Sequence, residues 1–380
     1  MNSNRFRAAA FGLSLAFSLL AGASAAQELE PILPRVNVQA DSARLDQIVD
    51  GEWVAVGTRK AHAIRHDYTR PYGGKPSYRF ELKADDNTLA GYAPGDTKGR
   101  AELSYCYATA ADFASLTEAD YDAAHRMKTV YHHGKGITPQ GSSREYRFAV
   151  YIPEDLSPDV CTIFAQWHGM PDRTLTQSPE GVIRRLSTEE FLELESRMVF
   201  KKEKGYDKLE GVDKKGNPRV SKEPNGWKVE QGGYPPLAFG FQKGVFYIKA
   251  NSDRRWLTDK DDRCSANPLT AKILKPVQSE YKASTIAYVL PFAEFPKNRW
   301  VEFRVKIDWT QYSGETEEIL RPGRLDVVMT VDGRPEHIVD DAEVLIGRND
   351  DDGYYFKFGI YRVGGSTEPV CYNLAGYSEE

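Results

Sequence analysis

The chain has 380 residues, 12% of them aromatic, and a formal net charge of −5. That length builds a large core as one domain with an insertion, or as two domains. A mildly acidic chain is not a general binder of polyanions, so any polyanion it takes has to meet positive charge gathered in a cleft.

Residues 1–26 read as a secretory signal: Arg5 and Arg7 at the start, an apolar run from Ala8 to Leu20, and small residues Ala23-Ser24-Ala25-Ala26 at the cleavage point. The run is short for a membrane span and no later stretch approaches one, so no membrane partner is expected. The mature chain is expected to begin near Gln27, in the periplasm, and losing Arg5 and Arg7 takes its charge from −5 to −7. Export and acidity together disfavour nucleic acid. Cys106, Cys161, Cys264 and Cys371 show no CxxC spacing, which points to burial or isolated pairing rather than a zinc site.

Short alternating runs then follow one another. Val36 to Asp41, Tyr78 to Lys83, Arg100 to Tyr107, Glu145 to Ile152, Thr162 to His168, Gly244 to Lys249, Trp300 to Trp309 and Leu325 to Val331 are predicted strands. Turn signals separate them, among them Gly73-Gly74, His133-Gly134-Lys135-Gly136 and Asp332-Gly333. There is no internal repeat. The pattern predicts an all-β protein, a two-sheet β-jelly roll built from residues 27–170 and 228–380. Residues 171–227 break it, turning helical and lysine-rich. Ser187 and Glu190 form a capping box there, followed by the apolar stripe Phe191, Leu192, Leu194, Met198 and Val199. A basic inserted subdomain over the sheet fits this segment, and so does a solvated charged face.

Period-2 alternation sorts the strand side chains by face. Near the C-terminus Tyr354, Phe356, Phe358 and Ile360 share an apolar face, leaving Tyr355, Lys357, Gly359 and Tyr361 opposite. Arg100, Glu102 and Ser104 share another polar face. Gln39 goes with Asn37, and Gln166 goes with His168 if Ile163, Ala165 and Trp167 turn inward. A sheet face carrying Gln39, Arg100, His168, Lys357 and Tyr361 suits an acidic, hydroxylated ligand. Paired carboxylates are sparse in this set, no GxSxG occurs and no Cys stands beside a His, so hydrolysis by those routes is disfavoured. β-Elimination on a uronic acid fits: a cation neutralises the carboxylate, His takes the carbon-5 proton and Tyr protonates the departing oxygen. A histidine simply packed beside Trp167 is the plain alternative, as is a solvated turn at Asp350-Asp351-Asp352.

The motifs Arg35-Val36-Asn37-Val38-Gln39-Ala40-Asp41-Ser42, Phe164-Ala165-Gln166-Trp167-His168-Gly169, Pro224 to Tyr234, Ala250-Asn251-Ser252-Asp253-Arg254 and Ile346 to Val363 are long and specific. Over nearly all of its mature length the chain resembles the heparin lyase I family of polysaccharide lyases. The resemblance implies a jelly roll with a deep groove and a small, partly helical basic thumb matching residues 171–227. It implies endo-acting eliminative cleavage between sulfated glucosamine and 2-O-sulfated iduronate in heparin and highly sulfated heparan sulfate; a monomer is expected, although the sequence itself is silent on oligomeric state. His168 then looks like the base and Tyr361 the proton donor, with Gln39, Arg100 and Lys357 holding carboxylate and sulfates. His133, Lys135 and Lys228 are further substrate-binding candidates. The family's calcium is expected at Glu230, a backbone carbonyl near Trp256, Asn349 and Asp350, a mixed oxygen set suited to that ion. An EF-hand is excluded, because Gly353 as its invariant glycine puts Arg348 first and Gly359 twelfth. Two departures stand out: Thr138 replaces a cysteine of some members, and a thumb histidine aligns with about Tyr206. Neither side chain is therefore needed here.

Overall fold

The computed structural model describes residues 29–31, 48–50, 52–57, 60–86, 99–105, 136–170, 172, 174–197, 208–212, 218–220, 227–230, 234–258, 277–362 and 366–380. Gln39, His133, Lys135, Tyr206, Cys106, Cys264, the signal segment and the Val36 to Asp41 strand lie outside them. Cys161 and Cys371 are free thiols.

Two large sheets stack face to face. The outer sheet has eight strands in the order Glu30–Pro31, Ile64–Tyr72, Lys75–Leu82, Val370–Glu379, Ser143–Tyr151, Trp300–Asp308, Gly323–Val331 and Arg334–Val344. The second, here called the floor sheet, has ten. Its order is Val277–Gln278, Lys282–Pro291, Val245–Asp253, Leu237–Gln242, Thr162–Gly169, Tyr354–Arg362, Arg100–Tyr105, Trp53–Gly57 and Ile48–Val49, with Gly347–Arg348 added in parallel beside Val245–Asp253. Strands distant in sequence pair here, as the jelly-roll expectation requires. Of the strands missed in the sequence, Arg334–Val344 is largely exposed and gives little alternation signal, whereas Leu237–Gln242 is a continuous buried apolar run that shows no alternation either.

The core lies between the sheets. Trp167, Phe239, Phe246, Phe356 and Phe358 descend from the floor, and Phe80, Tyr146, Phe148, Phe303 and Tyr372 rise from the outer sheet. Phe148 is central, its ring centroid 5.4–6.3 Å from those of Trp167, Phe239, Phe303 and Phe356. Rings at such separations add edge and offset contacts to the ordinary gain from apolar burial. Thr138 is buried beside this core, its hydroxyl 2.8 Å from that of Tyr146.

One face assignment changes. Phe164, Ala165 and Trp167 all belong to the core cluster and Ile163 does not. The cause is a β-bulge: Ala165 and Ile163 find consecutive partners Phe239 and Gly240 on one side, skipping Phe164, and the register shifts on the other side too. Gln166 and His168 keep their expected side.

Within the insertion, Leu175–Gln177 pairs with Ile183–Arg185 and with Lys228–Val229. Lys228 thus belongs to this small sheet rather than to the sandwich. The helix Thr188–Arg197 starts as its capping box requires: the Glu190 N–H donates to Ser187 Oγ at 3.1 Å, and the Ser187 N–H to Glu190 Oε2 at 2.7 Å. Phe191 and Leu194 pack with Leu186 and Val229. The Glu230 N–H donates to Leu175 O at 3.0 Å, where the chain leaves the insertion.

Candidate active site

With the core side chains pointing between the sheets, the opposite face of the floor carries the polar set. Lys357 stands across from Gln166 on one neighbouring strand and Ser104 on the other. Gly359 stands across from Glu102, and Tyr361 across from Arg100. Glu102 is the hub of the group and only 1% exposed. Lys357 Nζ donates to its Oε2 at 3.2 Å, Arg100 Nε lies 3.2 Å from the same oxygen, and Gln166 Nε2 donates to Oε1. The Arg100 guanidinium stacks over the Tyr361 ring, 4.2 Å from its centroid. Among the described residues, the cations Arg100 and Lys357 converge on the single carboxylate of Glu102.

Gly359 makes the close packing possible. Its φ is +132°, and a Cβ there would collide with the Ala101 carbonyl oxygen and approach Glu102 Cα to 2.6 Å.

His168 sits at the other end of the face. It pairs with Tyr355, with ring centroids 5.8 Å apart. Its Nδ1 lies 3.0 Å from Gly169 O. A carbonyl only accepts, so Nδ1 carries the hydrogen and Nε2 is the nitrogen that can take a proton. His168 and Tyr361 therefore share a face but do not stand opposite each other. Six positions separate Tyr355, the partner of His168, from Tyr361, about 20 Å along a straight strand.

Behind His168 lies the acidic turn. Asn349 and Asp350 are 2% and 3% exposed, whereas Asp351 is exposed. The plain alternative of a fully solvated turn therefore does not hold for Asp350. Its Oδ2 accepts no hydrogen bond and packs so close to Gly169 that a Cβ there would overlap it. Arg348 NH1 is 3.5 Å from that oxygen and Arg348 NH2 is 3.3 Å from Glu230 Oε1. Burial pushes the Glu230 and Asp350 carboxyls above the usual range despite Arg348, and the neighbouring Asp253 adds to the push. Asn349 Nδ2 donates to Arg254 O and Gly314 O at 2.9 and 2.7 Å, which turns its Oδ1 away from them. Trp256 donates its backbone N–H to Glu317 Oε1 at 3.0 Å and its indole N–H to Asp351 Oδ2 at 3.2 Å.

Buried carboxylates in excess of their arginine, with amide oxygen beside them, fit a hard divalent cation. Among the described residues, no three acidic or histidine groups of this cluster bring their ligand atoms within 4.8 Å of one another. A cation here therefore needs amide and carbonyl oxygens as well as carboxylates.

Sequence reasoning placed Glu102 on the polar face without giving it a role, and it passed over Arg348 and Asp253. The alternation of Arg100, Glu102 and Ser104 was the available signal for the first. Nothing local marks the other two.

A family model described as polysaccharide lyase matches residues 43–373. The chain is 60% identical over 366 residues to heparin lyase I of Pedobacter heparinus, covering 95% of each. Among solved structures, an endo-β-1,4-glucuronan lyase from the fungus Trichoderma reesei aligns with a TM-score of 0.42 at 10% identity, over 85% of this chain and 86% of that one. An alginate lyase from Chlorella virus aligns with a TM-score of 0.35 at 9% identity, over 87% and 93%.

Proposed function

The chain belongs to the heparin lyase I family of polysaccharide lyases, and on that premise we propose that it cleaves heparin and highly sulfated heparan sulfate by endo-acting β-elimination. The supporting observation is the polar face itself, where the cations Arg100 and Lys357 meet beside Gln166 and Glu102. A uronate carboxylate laid on that positive charge loses its own negative field, which makes the adjacent carbon-5 proton acidic. His168 Nε2 takes that proton, and the electron pair left behind forms the carbon-4 to carbon-5 double bond. The carbon-4 to oxygen bond breaks, and in this proposal the Tyr361 hydroxyl protonates the departing oxygen, which requires His168 and Tyr361 to lean toward each other along the face. Gln39 joins Arg100 and Lys357 in holding the carboxylate and sulfates, and His133, Lys135 and Lys228 extend the binding surface.

Glu230, the Trp256 carbonyl, Asn349 and Asp350 are the residues that would hold calcium. Bound there, it offsets the surplus of buried carboxylates behind His168. The working form in this proposal is a periplasmic monomer.

Incubating the protein with heparin and calcium should raise ultraviolet absorbance as the double bond forms, and shorten the chains. Heparin recovered uncleaved would reject the proposal, and equal rates on alginate would move the substrate class to unsulfated uronans. The pairing of His168 with Tyr355 supplies a rival proton donor. Tyr361→Phe should lower kcat by about 10²–10⁴, the range of general acid catalysis, and Tyr355→Phe much less. The reverse ranking assigns the donor role to Tyr355.

A further inference from the structure

The polar face of the floor continues past Gln166. The next strand offers only Ala238 at the matching position, and the strand beyond it places Lys249 directly across from Ala238. Lys249, Gln166 and Lys357 therefore lie in one row across the strands, on the face turned away from the core. Lys249 is 3% exposed, and its Nζ has no hydrogen-bond partner. Two more buried polar atoms without partners lie beside it. Asn251 Oδ1 is two residues along on the same face, and Ser284 Oγ belongs to the residue directly across from Asn251. Asn251 commits its Nδ2 to Pro235 O at 2.7 Å, so its oxygen is the atom left to present.

An ammonium taken out of water without a counter-ion destabilises the fold, and a site that needed only volume would hold Leu or Met. Burial alone draws the Lys249 pKa down to about 8, with no acidic neighbour pulling it back. Arg100 and Lys357 share a carboxylate on this face, whereas Lys249 has none. A cation, a hydroxyl and an amide oxygen, all unpartnered and all together, match an anionic oxygen cluster flanked by sugar hydroxyls.

We propose that Lys249, with Ser284 and Asn251, forms a subsite for a sulfate or carboxylate on a sugar beyond the one being cleaved. Lys249 stands two strand spacings from Gln166 and three from Lys357, about 10 and 14 Å between backbones. Lys357 Nζ also turns the other way, to Glu102 on the far neighbouring strand, so the two cations address different positions on the face. The subsite rests on the lyase reading above, and it adds a binding determinant away from the reacting atoms.

The test uses the full chain with Lys249→Met and Lys249→Arg. The Met variant should raise KM for heparin about 10- to 100-fold, the scale of a lost charge-assisted hydrogen bond, with kcat within about threefold of wild type. Its Tm should equal or exceed that of wild type, since an unpaired buried charge has gone. The slope of log KM against log salt should fall by about 0.7–0.9, one contact's share for a condensed polyanion. Lys249→Arg should restore KM to within a few-fold. If Lys249→Met does not fold, Lys249→Gln provides the same reading. Repeating the comparison on desulfated heparin separates the sources: the effect of the Met variant vanishes there for a sulfate pocket and persists for a carboxylate pocket. An active wild type whose Met variant keeps its KM within twofold overturns the subsite. So does a variant that loses kcat or Tm while KM holds. A wild type inactive on heparin refutes the lyase reading instead.

Discussion

Glu102 is a carboxylate on the face proposed to receive another carboxylate. Its value becomes clear from what Lys357 would be without it, since Lys357 and Glu102 keep only 4% and 2% of their side chains exposed. Breaking a buried pair from one side strands a charge and costs about 3–5 kcal/mol, far more than losing both partners together. Glu102→Ala should therefore lower unfolding free energy by about that amount, measured by urea denaturation. Adding Lys357→Met should recover most of it, and purely additive losses would show that the pair is not coupled. Activity should not return in the double variant, because the cation proposed to meet the substrate has gone too. The polar face was legible in the sequence from alternation alone: Lys357 with Tyr361, and Arg100 with Glu102 and Ser104. The contact itself was not, because it joins residues 255 positions apart and depends on which strands become neighbours.

Among the elements, the Thr162–Gly169 and Tyr354–Arg362 strands carry most of the residues proposed for the chemistry, and their ends meet the acidic turn. Gly169 follows His168 directly, and Asp350 Oδ2 fills the space where its side chain would be. The turn is held from the insertion as well, since Arg185 pairs with Asp351 and lies over the Trp256 ring, 5.3 Å from its centroid. If the proposed calcium site and base are right, Gly169→Ala should displace Asp350, weaken calcium binding measured by titration calorimetry, and reduce kcat by moving His168. Unchanged calcium affinity in a folded Gly169→Ala protein would separate the turn from the histidine. The inward face of Tyr354–Arg362 was legible because its aromatic side chains repeat every second residue. The bulge at Phe164 was not, because an extra residue leaves no mark in an apolar run. Arg348 was equally hidden, since a lone arginine beside a run of aspartates reads as surface charge until its burial is seen.

Across the whole molecule, the floor strand that carries Lys357 and Tyr361 is fastened where the two sheets meet. Arg362, fully buried at its end, donates to Lys83 O at 2.9 Å, to Asp86 O at 2.9 Å and to Glu368 O at 3.2 Å. Lys83 and Asp86 follow the outer-sheet strand Lys75–Leu82, so this arginine ties one sheet to the other. The Asp86 side chain in turn orders that segment: it takes the Lys83 N–H at 2.8 Å, lies 2.6 Å from His62 Nε2 and pairs with Lys60. Burial by itself would raise the Asp86 carboxyl, but the bonds from Lys60, His62 and Lys83 outweigh it and hold the pKa below the ordinary value. A carboxyl depressed in the folded state binds its proton more readily once unfolded, so its stabilisation is full above the unfolded value of about 4. That stabilisation drains away as pH falls through the lower folded value. Unfolding free energy measured from pH 7 down to pH 3 should therefore drop more steeply for wild type than for Asp86→Asn. The variant should be the less stable at pH 7, and the two curves should draw together at the acid end. Parallel curves would mean that Asp86 titrates alike in both states and that Arg362 holds the sheet junction without its help.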